Sequence, residues 1–350
     1  MGKKYKNLYQ EITTIDSLQK AFINASRGKR SSSGFLHFNE YAQVRILDIH
    51  QKLKNETWQA SPLRTFIIYE PKRREIGAPS FADRVVHHAI CSVINPIFDK
   101  TFLPYSFACR NNKGTHAGVK YIQAQLRKYN FKYYLKTDFK SYFPSIDRAI
   151  LYKKIERKIT CKKTIALLKK IIPETGKGVP IGALTSQLAA NIYGNILDHY
   201  LHHELKVTFA RYMDDVIILG DDLNQLRQIK TQIEVFAKEQ MALSISRWNI
   251  SSTSKGIDFL GYRIWKNHKL LRKSSVTRAK RKIKNAINYE DYESLTKFIG
   301  SWVGHAKFAD TKNLRIWLNR QHDVISNLAI GKKQRKPNRL NMLKKIILFG

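Results

Sequence analysis

Two adjacent carboxylates, Asp214 and Asp215, stand between the run Phe209-Ala210-Arg211-Tyr212-Met213 and the β-branched run Val216-Ile217-Ile218. The pattern reads as strand, tight turn, strand, with the acids at the tip. Such a pair repels itself and needs water or a cation. Mg²⁺, which takes hard oxygen ligands and leaves room for substrate phosphates, is the natural neutraliser. A solvated hairpin with an acidic tip would carry the same residues. Upstream, Tyr133-Tyr134-Leu135-Lys136-Thr137-Asp138-Phe139 is a second strand-like run ending in an acid. With the two strands side by side, Asp138, Asp214 and Asp215 form one cluster, the donor set that two-metal phosphoryl chemistry requires.

The acids sit in a basic background. The 350 residues include 63 Lys and Arg against 27 Asp and Glu, a formal charge of +36 spread from end to end. A bare surface of that charge repels itself, so an extended polyanion is the expected partner, with nucleic acid leading. An anionic membrane is the rival, but no apolar run approaches the roughly 20 residues that span a bilayer. The start, Met-Gly-Lys-Lys-Tyr-Lys, lacks the apolar segment of a secretory signal, and cytoplasmic residence is the default expectation. Cys91, Cys109 and Cys161 are too few and too scattered for a disulfide framework or a zinc site.

Several elements must position the acids. Residues 1 to 34 end in a basic loop, Arg27 to Gly34, a solvated turn or a contact for RNA. From Asn39 to Lys54, Ile46, Ile49 and Leu53 recur at helical spacing, and Val44 and Leu47 widen that apolar stripe. Arg64 to Ile76 reads as strand, Pro-marked turn and strand, with cations at the tip that suit a phosphate clamp. Phe81 to Ile90 is helical; its neighbouring His87 and His88 point some ~100° apart and suit packing or RNA contact better than a metal. A strand should end near Phe107, in a polar loop with Thr115 capping the helix that follows. Residues 149–172 form a basic helix or helix pair. In Gly176 to Tyr193, glycines bracket a strained loop, and Thr185 or Ser186 can cap the next helix. An amphipathic helix over 222–241 packs behind the sheet, and from Lys269 onward cations crowd helical segments before a polybasic tail.

Tyr212-Met213-Asp214-Asp215, preceded by Asp138 and by an aromatic five residues after it, Phe143, resembles the core of reverse transcriptases. Ile181-Gly182 with Ser186-Gln187, where most of that family carries Gln-Gly and Ser-Pro, is similar to the diversity-generating retroelement branch of phage tropism-switching cassettes. The likeness runs from about residue 5 to 325, with no visible ribonuclease H, maturase or endonuclease segment.

The resemblance implies an α+β right-hand polymerase with fingers, an antiparallel-sheet palm and a helical thumb. The lobes are expected over 1–130 (N-terminal region and fingers), 131–265 (palm with some fingers elements), 266–331 (thumb) and 332–350 (basic tail). It implies two Mg²⁺ held by Asp138, Asp214 and the Phe139 carbonyl, with Asp215 in support. By match, Lys72 and Arg74 cover the incoming nucleotide, Arg110 lies near template and nucleotide, and Gln187 belongs to the nucleotide site. Phe143 gates the sugar, Lys255 lies near the leaving pyrophosphate, and Leu260-Gly261 grip the primer. An apolar Ile181 removes a polar contact near the nascent pair, consistent with the branch's errors at template adenines. Expected partners are a template-repeat RNA, the RNA/cDNA duplex, deoxynucleotides and a pentameric basic accessory protein, in a bacterial or phage-encoded cytoplasmic setting. The alternatives are another bacterial retroelement polymerase, group II intron-like or of abortive-infection type, and a non-catalytic RNA-binding protein.

Overall fold

A computed structural model describes residues 3–69, 73–289 and 292–318 and divides the chain into two compact units. The first comprises Met1–Gly114 with Leu135–Ile250, the second Thr115–Tyr134 with Ser251–Gly350.

In the first unit, helices Leu8–Thr13, Ile15–Ser26, Ser33–Glu40 and Ala42–Lys54 gather around helix Phe81–Asp99. Phe22, Phe35, Phe38 and Phe81 meet there, with ring centroids 5.2 Å apart for Phe38 and Phe81 and 5.7 Å for Phe22 and Phe38. The long helix begins at a reciprocal cap: the Asp83 amide donates to Ser80 Oγ at 3.1 Å, and that hydroxyl donates to the Asp83 carboxylate at 2.8 Å. The expected stripe over Asn39–Lys54 is narrower than its sequence suggests. Ile46, Ile49 and Leu53 are buried, but Val44 is 66% and Leu47 46% exposed. The helix is Ala42–Lys54, capped at Tyr41, and Val44 and Leu47 lie on its exposed side.

The strands are β1 (Arg64–Ile68), β2 (Arg74–Ala78), β3 (Tyr133–Phe139), β4 (Thr208–Tyr212), β5 (Asp215–Gly220), β6 (Ile245–Ser252), β7 (Ile257–Phe259), β8 (Tyr262–Ile264) and β9 (Lys269–Leu271). β1 and β2 form the expected hairpin, with Arg64 opposite Ala78 and Ile68 opposite Arg74. The central sheet has the order β4-β5-β3-β6. β5 is buried from Val216 to Gly220, which explains why it is a continuous apolar run rather than an alternating one. Helix Leu223–Met241 turns Leu226, Ile229, Ile233, Ala237 and Met241 inward, as its spacing predicts. The basic segment over 149–172 resolves into two helices, Arg148–Glu156 and Lys162–Ile171.

The second unit joins helix Thr115–Tyr129 to the sheet β7-β8-β9 and to helices Lys273–Asn288 and Tyr292–Ala306. Its core includes Tyr262, whose hydroxyl lies 2.7 Å from His305 Nδ1 and 3.1 Å from His116 Nε2. Among the described residues no helix is long and apolar enough to cross a membrane. Cys91, Cys109 and Cys161 are free thiols.

Candidate active site

The β4–β5 register pairs Tyr212 with Asp215, leaving Met213 and Asp214 as a two-residue turn. Two-residue hairpin turns that match strand twist require positive φ. Met213 adopts φ 55°, a left-handed conformation that costs a side-chain-bearing residue roughly 1–2 kcal/mol. The strain falls at the residue that precedes Asp214, and such strain concentrates where structure over-determines geometry for a task.

β3 lies beside β5, and Asp138 is near enough to the turn for its charge to act on Asp214. The Asp138 carbonyl accepts from Ser246 Oγ at 2.9 Å, and the Lys140 amide donates to the Ser244 carbonyl at 2.9 Å, which anchors the end of the strand to β6. The carboxyl of Asp214 is held above the usual carboxylate range, first by burial and then by the charges of Asp138 and Asp215. Its own backbone amide and the Arg74 guanidinium act in the opposite direction. The β1–β2 hairpin therefore brings one of its cations within electrostatic reach of the acidic turn. The other expected clamp residue, Lys72, lies outside the described residues.

Asp215 is differently placed. Lys136, two residues before Asp138 and so on the same face of β3, puts Nζ 3.0 Å from the Asp215 carboxylate. Both side chains are about a quarter exposed, so the pair is partly shielded from water. Sequence reasoning passed over Lys136, although the two-residue period of the strand marks it as a neighbour of the acids. Among the described residues no three His, Cys, Asp or Glu side chains form a group able to hold a metal ion by themselves. Two mutually repelling carboxylates, Asp138 and Asp214, with the third engaged by a lysine, are still a donor set that fits Mg²⁺. That ion is usually held by one or two carboxylates and completes its shell with water and substrate phosphates.

The glycine-bracketed loop is fastened to the segment that follows β3. The Val179 amide donates to the Phe143 carbonyl at 2.9 Å, and the Gly178 amide to the Ile146 carbonyl at 2.7 Å. Gly178 has φ 84°, and a Cβ there would come 2.8 Å from the Pro144 carbonyl oxygen. The Phe143 ring stands edge-on to Tyr142, with centroids 5.9 Å apart and planes at 89°. Helix Leu184–His199 starts at an Ala183 cap that makes no side-chain hydrogen bond. Thr185 and Ser186 therefore lie buried inside the first turn rather than capping it, because the loop runs in extended through Ala183. Thr185 Oγ1 instead sits 3.4 Å from Nδ1 of the buried His87. Desolvation, helped by His88 and Arg84, lowers the His87 pKa to about 4, which suits a neutral packing histidine.

Arg110 and Gln187 line one cavity of about 300 Å³ together with Asn95, Leu184, Leu188 and Asn191. The Arg110 guanidinium is engaged there, with Nε 2.6 Å from Asp99 and Nη1 2.7 Å from the Leu103 carbonyl. The strand expected before it is only a single parallel bridge, Ser106 to Arg211. In the second unit, Leu260 (φ 53°) and Gly261 (φ 88°) form the tight turn between β7 and β8, and Lys255 is exposed in a short 3₁₀ turn before β7.

Residues 69–264, more than half of the chain, match the family described as Reverse transcriptase (RNA-dependent DNA polymerase). The chain is 23% identical over 290 residues to Protein YkfC of Escherichia coli, covering 66% of this chain and 72% of that one. It is 25% identical over 256 residues to the group II intron-encoded protein LtrA of Lactococcus lactis, covering 68% of this chain and 42% of LtrA. It is also 26% identical over 213 residues to the retron Ec73 reverse transcriptase of Escherichia coli, covering 53% and 66%. Among solved structures, telomerase from Candida tropicalis with a fragment of telomeric RNA gives a TM-score of 0.47 at 10% identity, covering 89% of this chain and 68% of that one.

Proposed function

Because the chain belongs to the reverse transcriptase family, RNA-directed DNA polymerases of α+β right-hand fold, we propose that it makes error-prone cDNA from a template-repeat RNA in a diversity-generating retroelement. The observation that carries the chemistry is the convergence of Asp138 and Asp214 from neighbouring strands, with Arg74 in electrostatic reach.

Asp138 and Asp214, with the Phe139 carbonyl, would hold two Mg²⁺, and Asp215 would support the site from its pairing with Lys136. When bound, the metal pair supplies Lewis acidity to the primer 3′ hydroxyl and to the triphosphate. Arg74 and Lys72 close over the phosphates, where a guanidinium fork matches phosphate oxygens. Phe143, tethered through its carbonyl to Val179, presents its ring beneath C2′ of the sugar and rejects a ribose hydroxyl. Ile181 and Gln187 line the nascent pair, and Arg110 the template side. Leu260 and Gly261 grip the primer end, with Lys255 near the leaving pyrophosphate. Fingers, palm and thumb occupy 1–130, 131–265 and 266–331, with a basic tail after them.

A chain of charge +36 associates with a basic pentameric accessory protein only where apolar contacts or shared RNA offset their repulsion. The setting is the cytoplasm of a bacterium. A second reading, a retron or group II intron-like polymerase, is favoured by the relatives LtrA and retron Ec73.

Primer extension on an RNA template with Mg²⁺ and all four deoxynucleotides, followed by sequencing of the cDNA, tests both readings. Errors concentrated at template adenines support the diversity-generating reading, and an even error spectrum supports the other. Absence of cDNA contradicts both.

A further inference from the structure

Arg211 lies in β4, two residues before the strained turn, and is 0% exposed. A buried guanidinium costs several kcal/mol unless it is paired and fully hydrogen-bonded. Asp198 on helix Leu184–His199, itself 0% exposed, receives Nε at 2.6 Å and Nη2 at 2.7 Å as a fork. The other contacts reach elsewhere: Nη1 donates to the Met213 carbonyl at 3.1 Å, and Nη2 to Ser106 Oγ at 3.0 Å. The backbone of Arg211 is fixed as well. Its amide donates to the Tyr105 carbonyl at 2.9 Å, and its carbonyl accepts from the Phe107 amide at 3.0 Å.

Space for the guanidinium exists only because position 194 is glycine. A Cβ there would come 2.6 Å from Arg211 Cζ and 2.9 Å from the Tyr142 hydroxyl. Tyr142 in turn donates that hydroxyl to the Ala190 carbonyl at 2.8 Å. The arrangement joins one helix, one strand and one turn at a single planar cation. Stability alone gives little reason for it, since apolar residues of similar volume replace a buried ion pair at little or no cost. What an apolar pair cannot do is hold the carbonyl of Met213, the residue at φ 55° next to Asp214.

We propose that Arg211, set in place by Asp198, is a positioning residue: it holds the Met213-Asp214 turn in its left-handed form, so that Asp214 meets Asp138 before metal or nucleotide arrives. The inference rests on the reading of Asp214 as a metal-holding carboxylate. Arg211 touches neither metal nor substrate and acts through the turn.

The test uses the full chain and two variants. Arg211→Met combined with Asp198→Leu removes both charges at similar volume, and Arg211→Lys keeps a cation opposite Asp198 without the planar fork. Mn²⁺ affinity is read by electron paramagnetic resonance, and kcat and KM for deoxynucleotide by primer extension. The double variant should melt within a few degrees of wild type, bind Mn²⁺ about tenfold more weakly, a loss of about 1.4 kcal/mol, and lose kcat with less than a twofold change in KM. Arg211→Lys should move the same readouts in the same direction by less, and it decides the matter if the double variant does not fold. A folded variant of either kind with wild-type Mn²⁺ affinity and kcat overturns the inference. A wild type that binds no Mn²⁺ and extends no primer overturns the underlying reading of Asp214 instead.

Discussion

The amide of Gly77 donates a 2.8 Å hydrogen bond to the carbonyl of Ile181, which fastens strand β2 to the loop that precedes helix Leu184–His199. Gly182 makes that approach possible. It holds φ 124°, and a Cβ there would come 3.0 Å from the Gly77 carbonyl oxygen and 2.9 Å from Ile76 Cγ2. The hairpin that carries Arg74 and the loop that carries Ile181 are thus set by one contact.

Gly182→Ala should therefore push β2 away and carry Arg74 with it. We expect a several-fold rise in the KM for deoxynucleotide and a stability loss of about 1–3 kcal/mol, the range for a residue forced into a disfavoured backbone region. Steady-state primer extension and chemical denaturation measure the two effects. An unchanged KM would mean that the hairpin is not positioned through this contact.

Lys136→Met should raise the negative potential at the acids, because the ammonium 3.0 Å from Asp215 is removed. Half-saturation with Mg²⁺ should fall about threefold at fixed ionic strength, the scale of a partly exposed charge pair. A titration of extension rate against Mg²⁺ reads this directly. A higher requirement would show that Lys136 assists metal binding rather than opposing it.

His87 predicts a pH dependence. Its pKa in the fold is about 4 against an ordinary value of 6.5, so below pH 6.5 the unfolded chain takes up a proton that the folded chain refuses. Stability is therefore full above pH 6.5 and declines as pH falls toward 4, with roughly 3 kcal/mol at stake over the window. Unfolding free energies from urea titrations at pH 7 and pH 4 should lie closer together in His87→Gln by that amount. Equal spacing in both proteins would assign the acid sensitivity to other groups.

Phe143→Ala should admit ribonucleotides, with the ratio of kcat/KM for deoxynucleotide over ribonucleotide dropping by at least tenfold. The carbonyl tether from Val179 is a backbone contact, so the loop should stay in place. A variant that still excludes ribonucleotides would remove Phe143 from the sugar gate.

Much of the site was legible because it is local. The strand-turn-strand around Asp214 and the strand ending at Asp138 are written in β-branched and aromatic runs, and two-residue periodicity places Lys136 beside them. The buried Arg211 was not legible. A cation inside an apolar strand reads as exposed until Asp198 and Gly194, which lie on a helix separate in sequence, are brought around it. Val44 and Leu47 failed for a related reason: helical spacing reports a stripe, and only tertiary neighbours decide how wide a stripe is covered. Thr185 and Ser186 looked like caps by residue type, yet the cap falls at Ala183, two residues before Thr185, and the first turn buries both.

The central claim is that Asp138 and Asp214 act together on one metal-dependent step of RNA-templated DNA synthesis. Measuring Mg²⁺-dependent cDNA formation by wild type, Asp138→Asn and Asp214→Asn tests it most directly. Each variant should lose activity by about 10³-fold or more, an effect of about 4 kcal/mol on the barrier. Asp214→Asn should melt no lower than wild type in metal-free buffer at neutral pH, since it removes a buried charge repelled by Asp138 and Asp215. Near-wild-type cDNA from a folded Asp214→Asn protein would contradict the account.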